Sequence, residues 1–232
     1  MFYSFNGCDA FCIFSMKING NMKGEDGRLN REVFFEKYLP KSVKKIVMAE
    51  QVHGNSVEVV GMNSPEIITG VDGLVTSERG VALGTFGADC RNVPMCDQDF
   101  GVIGNVHLGY RGILQKAAHN TVAKMIGLGA EKERIKPIIG QGVCGRCFEF
   151  DKKDAGIFKQ YWPFVSQKED SGGKVFVDLF GIVFYQLTKE IGIPAANIQY
   201  IDVCTKENAN FFSQRRDKKD PIESGIAIIG LR

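Results

Sequence analysis

Three histidines and seven cysteines are the residues of this 232-residue chain best suited to chemistry at neutral pH. The histidines are His53, His107 and His119; the cysteines stand at 8, 12, 90, 96, 144, 147 and 204. Two imidazoles and a thiolate suit zinc, and three protein ligands leave a fourth position for a water that the metal acidifies. His53 lies in Gln51-Val-His-Gly54, Cys90 in Gly87-Ala-Asp-Cys90, and His107 closes the apolar run Gly101-Val-Ile-Gly-Asn-Val-His107. All three fall at strand-like ends beside glycines, where side chains carried by a rigid scaffold can converge. Asp89, next to Cys90, is placed to orient a ligating imidazole from behind. The same residues also fit a plainer reading, with hydrogen-bonded structural histidines and Cys90 as a small buried hydrophobe. Spacing alone leaves both readings open.

Two further groups could carry chemistry. Val143-Cys-Gly-Arg-Cys-Phe148 contains a C-x-x-C. A nucleobase-deaminase site would need H-x-E upstream and Pro before the first cysteine; the histidines instead open His53-Gly-Asn55, His107-Leu-Gly109 and His119-Asn-Thr121, and Val143 precedes Cys144. A zinc knuckle needs a second ligand pair at finger-like spacing, and a thioredoxin-like pair needs a βαβ context. Neither is evident, so the motif reads as two unpaired structural cysteines. The second group is basic: Arg111, close after His107, and Arg215-Arg216 in Phe211-Phe-Ser-Gln-Arg-Arg-Asp217. Arginine grips phosphate or an oxyanion through two parallel hydrogen bonds. For Arg215 and Arg216, pairing with Asp217 or a solvated loop is an equal alternative.

The elements that must position these residues can be traced along the chain. Residues 2–15 read as a strand or strand pair, and Gly20–Gly27 as a polar loop. Asn30–Leu39 has helical spacing, with Val33, Phe34 and Tyr38 on one face, and Pro40 stops it. Strands are expected at Lys45–Ala49, Ser56–Val60, in a pair over 72–86, at Gly101–His107, Ile135–Ile139, Gln199–Val203 and Gly225–Gly230. Helices are expected at Ile113–Gly127, Asp151–Lys159 and Leu179–Ile191, whereas 91–94 and 140–145 read as loops. Strands and helices mix without a βαβ rhythm, which favours an α+β fold.

Composition narrows the partners. Hydrophobic residues make up 44% and charged residues 24%, ordinary for a globular chain, and the net charge of +2 calls for neither nucleic acid nor an anionic membrane. No apolar run approaches the roughly 20 residues that span a bilayer. Met1–Gly20 is interrupted by Asn6, Asp9 and Asn19 and lacks the form of a signal peptide, so the expectation is a cytoplasmic protein of free thiols or metal-ligating cysteines.

Taken together, the motifs resemble the laccase-domain, or polyphenol-oxidase-like, purine nucleoside phosphorylase family. The resemblance rests on Gln51-Val-His-Gly54, Asp72-Gly-Leu-Val-Thr76, Ala88-Asp-Cys90, His107-Leu-Gly-Tyr-Arg-Gly112 against the family's H-A-G-W-R-G, Cys147-Phe-Glu-Phe150, Cys204-Thr205 and Phe211–Asp217. It runs in order from about residue 14 to 217. It implies a single domain over 1–232 with an α+β layered sandwich of mixed sheets, and His53, Cys90 and His107 as ligands of one zinc per chain, with copper as the other metal to consider. It also implies phosphorolysis of adenosine, inosine, guanosine and methylthioadenosine, with some adenosine deamination; the partners are purine nucleosides and phosphate. Arg111 is then the expected phosphate contact, and Asp89 a candidate by position for protonating the purine. The family's early T-R stands here as Met16-Lys17, so Lys17 joins Arg111, Arg215 and Arg216 as an expected substrate-binding cation that lacks arginine's fork. Other departures are Arg91-Asn92 beside the ligand, Tyr110 for Trp, and Gly140-Gln-Gly-Val-Cys-Gly145 without the family's prolines. They keep open a catalytically weak, partner-binding member. A copper polyphenol oxidase is the enzyme alternative, but a multicopper centre adds a histidine-rich trinuclear cluster to a His2Cys site, and three histidines cannot supply it.

Overall fold

The computed structural model describes residues 1–4, 9–97, 99–161, 168–169 and 172–231. The N-terminal half gives β1 (Phe2–Ser4), β2 (Ala10–Phe14), α1 (Arg28–Tyr38), β3 (Lys45–Glu50), β4 (Val57–Val59), β5 (Ile67–Thr69), β6 (Gly73–Thr76) and β7 (Val81–Gly87). The middle gives β8 (Arg91–Asp97), β9 (Val102–Leu108), α2 (Tyr110–Leu114), α3 (Ala117–Gly127), β10 (Lys136–Ile139), β11 (Glu149–Asp151) and α4 (Lys152–Ala155). The remainder gives β12 (Lys168–Glu169), β13 (Lys174–Phe176), α5 (Leu179–Tyr185), β14 (Gln199–Tyr200), α6 (Gln214–Asp217) and β15 (Gly225–Leu231).

Two mixed sheets stack face to face. One has the order β1-β2-β15-β7-β3-β5 and the other β14-β10-β8-β9-β6-β4; a small third sheet is β11-β13-β12. Alternation along the strands makes the layers. In β2, Ala10, Cys12 and Phe14 face the inter-sheet core, where Leu74, Leu83 and Ile103 also pack, while Phe11 and Ile13 face outward onto Phe34 of α1. In β15, Ala227 and Ile229 point inward and Ile226 and Ile228 outward. The second sheet turns Val93, Met95, Val102 and Val106 toward Ala118, Val122 and Met125 of α3 and Ile182 of α5. The result is helix, sheet, sheet, helix: the α+β layered sandwich with mixed sheets. Among the described residues no helix is long and apolar enough to cross a membrane.

The largest departure from the sequence reading is β8. Residues 91–94 read as a loop in the sequence, and they include Asn92 and Pro94, which are poor strand formers. All seven residues of β8 are instead buried, and the strand pairs antiparallel with β9 from Arg91↔Leu108 to Asp97↔Val102. Part of its polar surface is satisfied: Asp97 accepts the amides of Asp99 and Glu131, and Arg91 Nη1 donates to Gly140 O at 2.7 Å, whereas Arg91 Nε and Asn92 Oδ1 are buried without a hydrogen-bond partner. The helix expected over 113–127 starts earlier and is split into α2 and α3 by Lys116, whose φ of 66° is left-handed. The helix expected over 151–159 is α4 followed by a 3-10 segment from Gly156 to Tyr161. Leu179–Ile191 is helical, widening into a π-helix from Gln186. Val33 is 65% exposed and does not share the apolar face of α1 with Phe34, which packs on Tyr38 at 4.9 Å. Cys12, Cys90, Cys144, Cys147 and Cys204 are free thiols, but Cys96 is disulfide-bonded, which corrects the expectation of free or ligating cysteines throughout; Cys8 lies outside the described residues.

Candidate metal centre

His53 follows β3 at the apex of a turn that is held from two sides. The Gln51 side chain clamps Phe86, donating Nε2 to its carbonyl at 2.7 Å and accepting its amide at 3.0 Å. The amides of Val52 and Gly54 donate to Asp72 Oδ2 at 3.2 and 2.7 Å. Between them His53 sits at φ 61°, a conformation a non-glycine residue keeps only when its surroundings impose it. Cys90 lies between β7 and β8 and is presented by a second such residue, Asp89 at φ 89°. His107, near the end of β9, is 3% exposed, and its Nδ1 is 2.9 Å from Asp72 Oδ1.

One fully buried carboxylate therefore serves both histidines. Asp72 fixes the His107 ring through one oxygen and the His53 turn through the other, which assigns the Nδ1 proton to the Asp72 side and leaves Nε2 for a metal. The ligand atoms of His53, Cys90 and His107 all lie within 4.8 Å of one another, and the two imidazoles meet edge to face at 4.9 Å. Gly109 closes the cluster: a Cβ there would stand 2.8 Å from His53 Cδ2 and 3.1 Å from Cys90 Sγ.

The electrostatics fit a cation. Burial pushes the Cys90 thiol up, but His107 and His53 outweigh it and bring it down to about 6. Burial pushes His107 down, but Cys90 and Asp72 outweigh that and raise it to about 9. Asp72 is held below the usual carboxylate range, because its bonds from His107, Gly54 and Val52 overcome its burial. Both shifts favour negative sulfur beside positive imidazole, a charge pattern that a divalent ion would use by displacing protons.

The cluster forms the floor of a cleft of about 280 Å³. Tyr110, Phe148 and Phe86 give it apolar walls, and Lys23, Gln214 and Arg215 give it a polar side. Arg215 lies over the Phe148 ring at 4.6 Å, donates Nη1 to Glu149 O, and gives its amide to Asp89 Oδ2 at 2.7 Å.

Several sequence expectations are relocated by this geometry. Asp89 does not orient a histidine: its oxygens accept from Thr205 Oγ1 at 2.6 Å and from the Arg215 amide, and Asp72 does the orienting. Arg111, on the outer face of α2, is exposed, stacks on Tyr110 and donates Nε to its hydroxyl at 3.0 Å; it does not line the cleft. Arg216 is spent on structure, bonding Asp217 and the carbonyls of Thr205, Asn208 and Phe211. Lys17 pairs with Asp217 at 3.2 Å. Of the four basic residues only Arg215 lines the cleft. Lys23 and Gln214 were missed, since single polar residues in a loop and a short helix carry no spacing signal.

The C-x-x-C is not isolated either. Cys204 and Glu207 come to Cys144 and Cys147, and the four donor atoms lie within 4.8 Å of one another. Cys144 and Cys147 are free thiols, as expected, but a second donor pair does stand beside them. The overlooked signal was Cys204-Thr-Lys-Glu207, which repeats the two-residue spacing with a carboxylate in the second place.

The family described as multi-copper polyphenol oxidoreductase laccase matches residues 18–231. The chain belongs to this family. A purine nucleoside phosphorylase of Streptomyces griseus is 35% identical over 179 residues, spanning 75% of this chain and 70% of the relative. One from Streptomyces coelicolor is 32% identical over 215 residues, spanning 91% and 87%. An adenosine deaminase of an unknown prokaryotic organism is 30% identical over 183 residues, spanning 74% and 70%. Among solved structures, the hypothetical protein YfiH of Bacillus licheniformis superposes with a TM-score of 0.85 at 22% identity, covering 99% of this chain and 94% of that one, and so shares the fold. YlmD of Geobacillus stearothermophilus gives 0.81 at 27% identity, covering 96% and 91%.

Proposed function

We propose that this family member is a zinc-dependent purine nucleoside phosphorylase with adenosine deaminase activity, acting on adenosine, inosine, guanosine and methylthioadenosine. The observation that carries the reading is the His53–Cys90–His107 cluster, held by Asp72 at the floor of an aromatic-walled cleft with Arg215 at its side. The names of the relatives support the substrate class. When bound by these three residues, one zinc would supply Lewis acidity and an activated water. Tyr110 and Phe148 would flank the purine, since flat aromatic faces suit a heteroaromatic ring. Arg215 and Lys23 would hold phosphate so that its oxygen bonds to the ribose C1′ as the bond from C1′ to the purine nitrogen breaks. The two cations would bind the dianion and orient its oxygen toward C1′, a positioning contribution to this glycosyl transfer.

Polyphenol oxidation, which the family description suggests, is not favoured by the donor set. His119, the third histidine, is turned to Glu190 at 3.0 Å and takes no part in the cluster, so no histidine remains for a trinuclear copper centre. The reading carries with it one domain over residues 1–232 and a cytoplasmic location. Zinc-loaded protein incubated with adenosine and phosphate is expected to give adenine and ribose 1-phosphate, and without phosphate to give inosine slowly. His53→Ala and Cys90→Ala should abolish both. Full turnover by either variant would overturn the assignment.

A further inference from the structure

The second cluster offers four donors that the proposed reaction does not use. We propose that Cys144, Cys147, Cys204 and Glu207 form a separate structural metal site that takes one zinc-class ion. Zinc–sulfur bonds of about 2.3 Å put neighbouring donors of a tetrahedron about 3.8 Å apart. The four donor atoms already lie within 4.8 Å of one another, so the site needs to draw in by about 1 Å or less to close on an ion. Three thiolates with one carboxylate, at x-x spacing in each of two loops, form a donor set that zinc favours over hard cations.

The backbone around the donors is built as two facing turns. Cys147 and Phe148 both donate their amides to Cys144 O, at 2.9 and 3.0 Å, and Asn208 N donates to Cys204 O at 3.0 Å. The turns are joined by Gly142 N to Val203 O and by Thr205 N to Gly142 O. The Cys144 amide points at Cys204 Sγ at 3.4 Å, where it would stabilise a thiolate. The Cys147 thiol points at Glu207 Oε1, also at 3.4 Å, so a proton now lies between two of the donors. Binding would proceed with release of thiol protons, the divalent ion taking their place on sulfur.

Charge balance supports the same conclusion. Three thiolates, a carboxylate and a divalent ion leave two negative charges. Arg146 grips Glu207 with both arms, at 2.9 and 2.8 Å. That guanidinium offsets part of the deficit.

The site would brace the cleft without touching substrate. Thr205, next to Cys204, holds Asp89 at 2.6 Å, and Asp89 O accepts Val143 N. An ion shared by the two loops would therefore fix the strained turn that presents Cys90, and with it Phe148, which follows Cys147 into the cleft wall. The inference does not depend on the proposed reaction.

The test uses the full chain purified under reducing conditions and loaded with cobalt(II) or zinc. Wild type is expected to bind about two ions, and His53→Ala/Cys90→Ala about one. In that double variant the cobalt form should keep a strong sulfur-to-metal charge-transfer band and a tetrahedral visible spectrum, and Glu207→Gln should weaken its affinity about tenfold or more. Because the double variant leaves all three thiols in place, the result does not hang on whether a cysteine replacement folds. No bound ion in His53→Ala/Cys90→Ala with the fold intact would overturn the proposal, as would a disulfide among Cys144, Cys147 and Cys204 in the freshly purified protein. Full turnover by the double variant with the second ion retained would overturn only the reading of the first centre.

Discussion

Replacing Asp72 by Asn keeps the shape of the side chain and removes one acceptor. Asp72 takes three hydrogen bonds, from His107 Nδ1 on Oδ1 and from the Val52 and Gly54 amides on Oδ2. An asparagine has one oxygen for these two sides. If the oxygen stays with the amides, its NH2 faces His107 Nδ1 and drives the imidazole proton to Nε2, the atom needed by the metal. If it turns to His107, the NH2 opposes the Gly54 amide and the His53 turn loses its anchor. Either way metal affinity should fall by about 10- to 100-fold, the usual loss for a partner of this kind, which is about 1.4–2.7 kcal/mol. The metal-free protein should also lose about 2–3 kcal/mol, because buried donors are left facing no charge. The pH dependence has a definite sign. The folded carboxyl lies below its ordinary value, so its contribution is present above the unfolded carboxylate pKa and disappears as pH falls through the folded one. Wild type and Asp72→Asn should then converge in acid. Zinc competition with a chromophoric chelator and urea unfolding of the metal-free proteins supply both numbers. A variant within about twofold of wild type in affinity and equal in stability at neutral pH would refute this account of the site.

Gly109→Ala is expected to lower metal affinity at least tenfold with little change elsewhere, since its Cβ would meet His53 and Cys90 at 2.8 and 3.1 Å; metal titration with a circular dichroism check reads it. Arg215→Ala should cut phosphorolysis by about a hundredfold, whereas Arg111→Lys, whose side chain is exposed on Tyr110, should stay within about threefold of wild type; the opposite order of losses would restore Arg111 to the phosphate site. Asp217 is lowered to about 2 by the bonds from Arg216 and Lys17, which overcome its burial. Asp217→Asn should therefore unfold at a lower temperature near neutrality and match wild type only once pH falls through that value. Oxygen consumption with a phenol by zinc-loaded, copper-free protein should stay at background.

Much of the fold was legible because two periods dominate the sequence. The alternation that sends Phe11 and Ile13 to one face of β2 and Cys12 and Phe14 to the other can be read from the residues alone. His53, Cys90 and His107 stand out near strand ends beside glycines, but spacing left two readings open and the resemblance to a family selected them as candidate ligands. What the pattern hid was tertiary compensation. Arg91, Asn92 and Pro94 read as loop until Gly140 O, Phe180 and the pairing with β9 are known. Asp72 looked like one member of a motif, and its role depends on a turn some twenty residues away in sequence. Cys204 and Glu207 approach Cys144 and Cys147 only because the strand ending at Tyr200 runs parallel to β10, a pairing with no local signature. The arginines show the reverse error. Their type suggested phosphate, but Arg216 is surrounded by carbonyls that its own loop must satisfy.

Among the described residues, two of the four left-handed non-glycine residues lie at the first cluster, and their placement has a physical reading. His53 and Asp89 occupy left-handed conformations, and a buried arginine and a proline sit in a central strand. His53 and Asp89 border the first cluster, and Arg91 follows its Cys90 directly. Strained turns persist only where neighbours over-determine them, and here the neighbours are identifiable: Gln51 and Asp72 for His53, and Thr205 and Val143 for Asp89. The His53 turn is tied to the first cluster through Asp72, and the Asp89 turn is tied to the second through Thr205 beside Cys204. A ligand triangle drawn from three separate strand ends is thus kept in place by polar bonds rather than by apolar packing. That arrangement holds donor atoms to a fixed geometry at the floor of the cleft, since hydrogen bonds fix direction as well as distance where apolar contacts fix only distance.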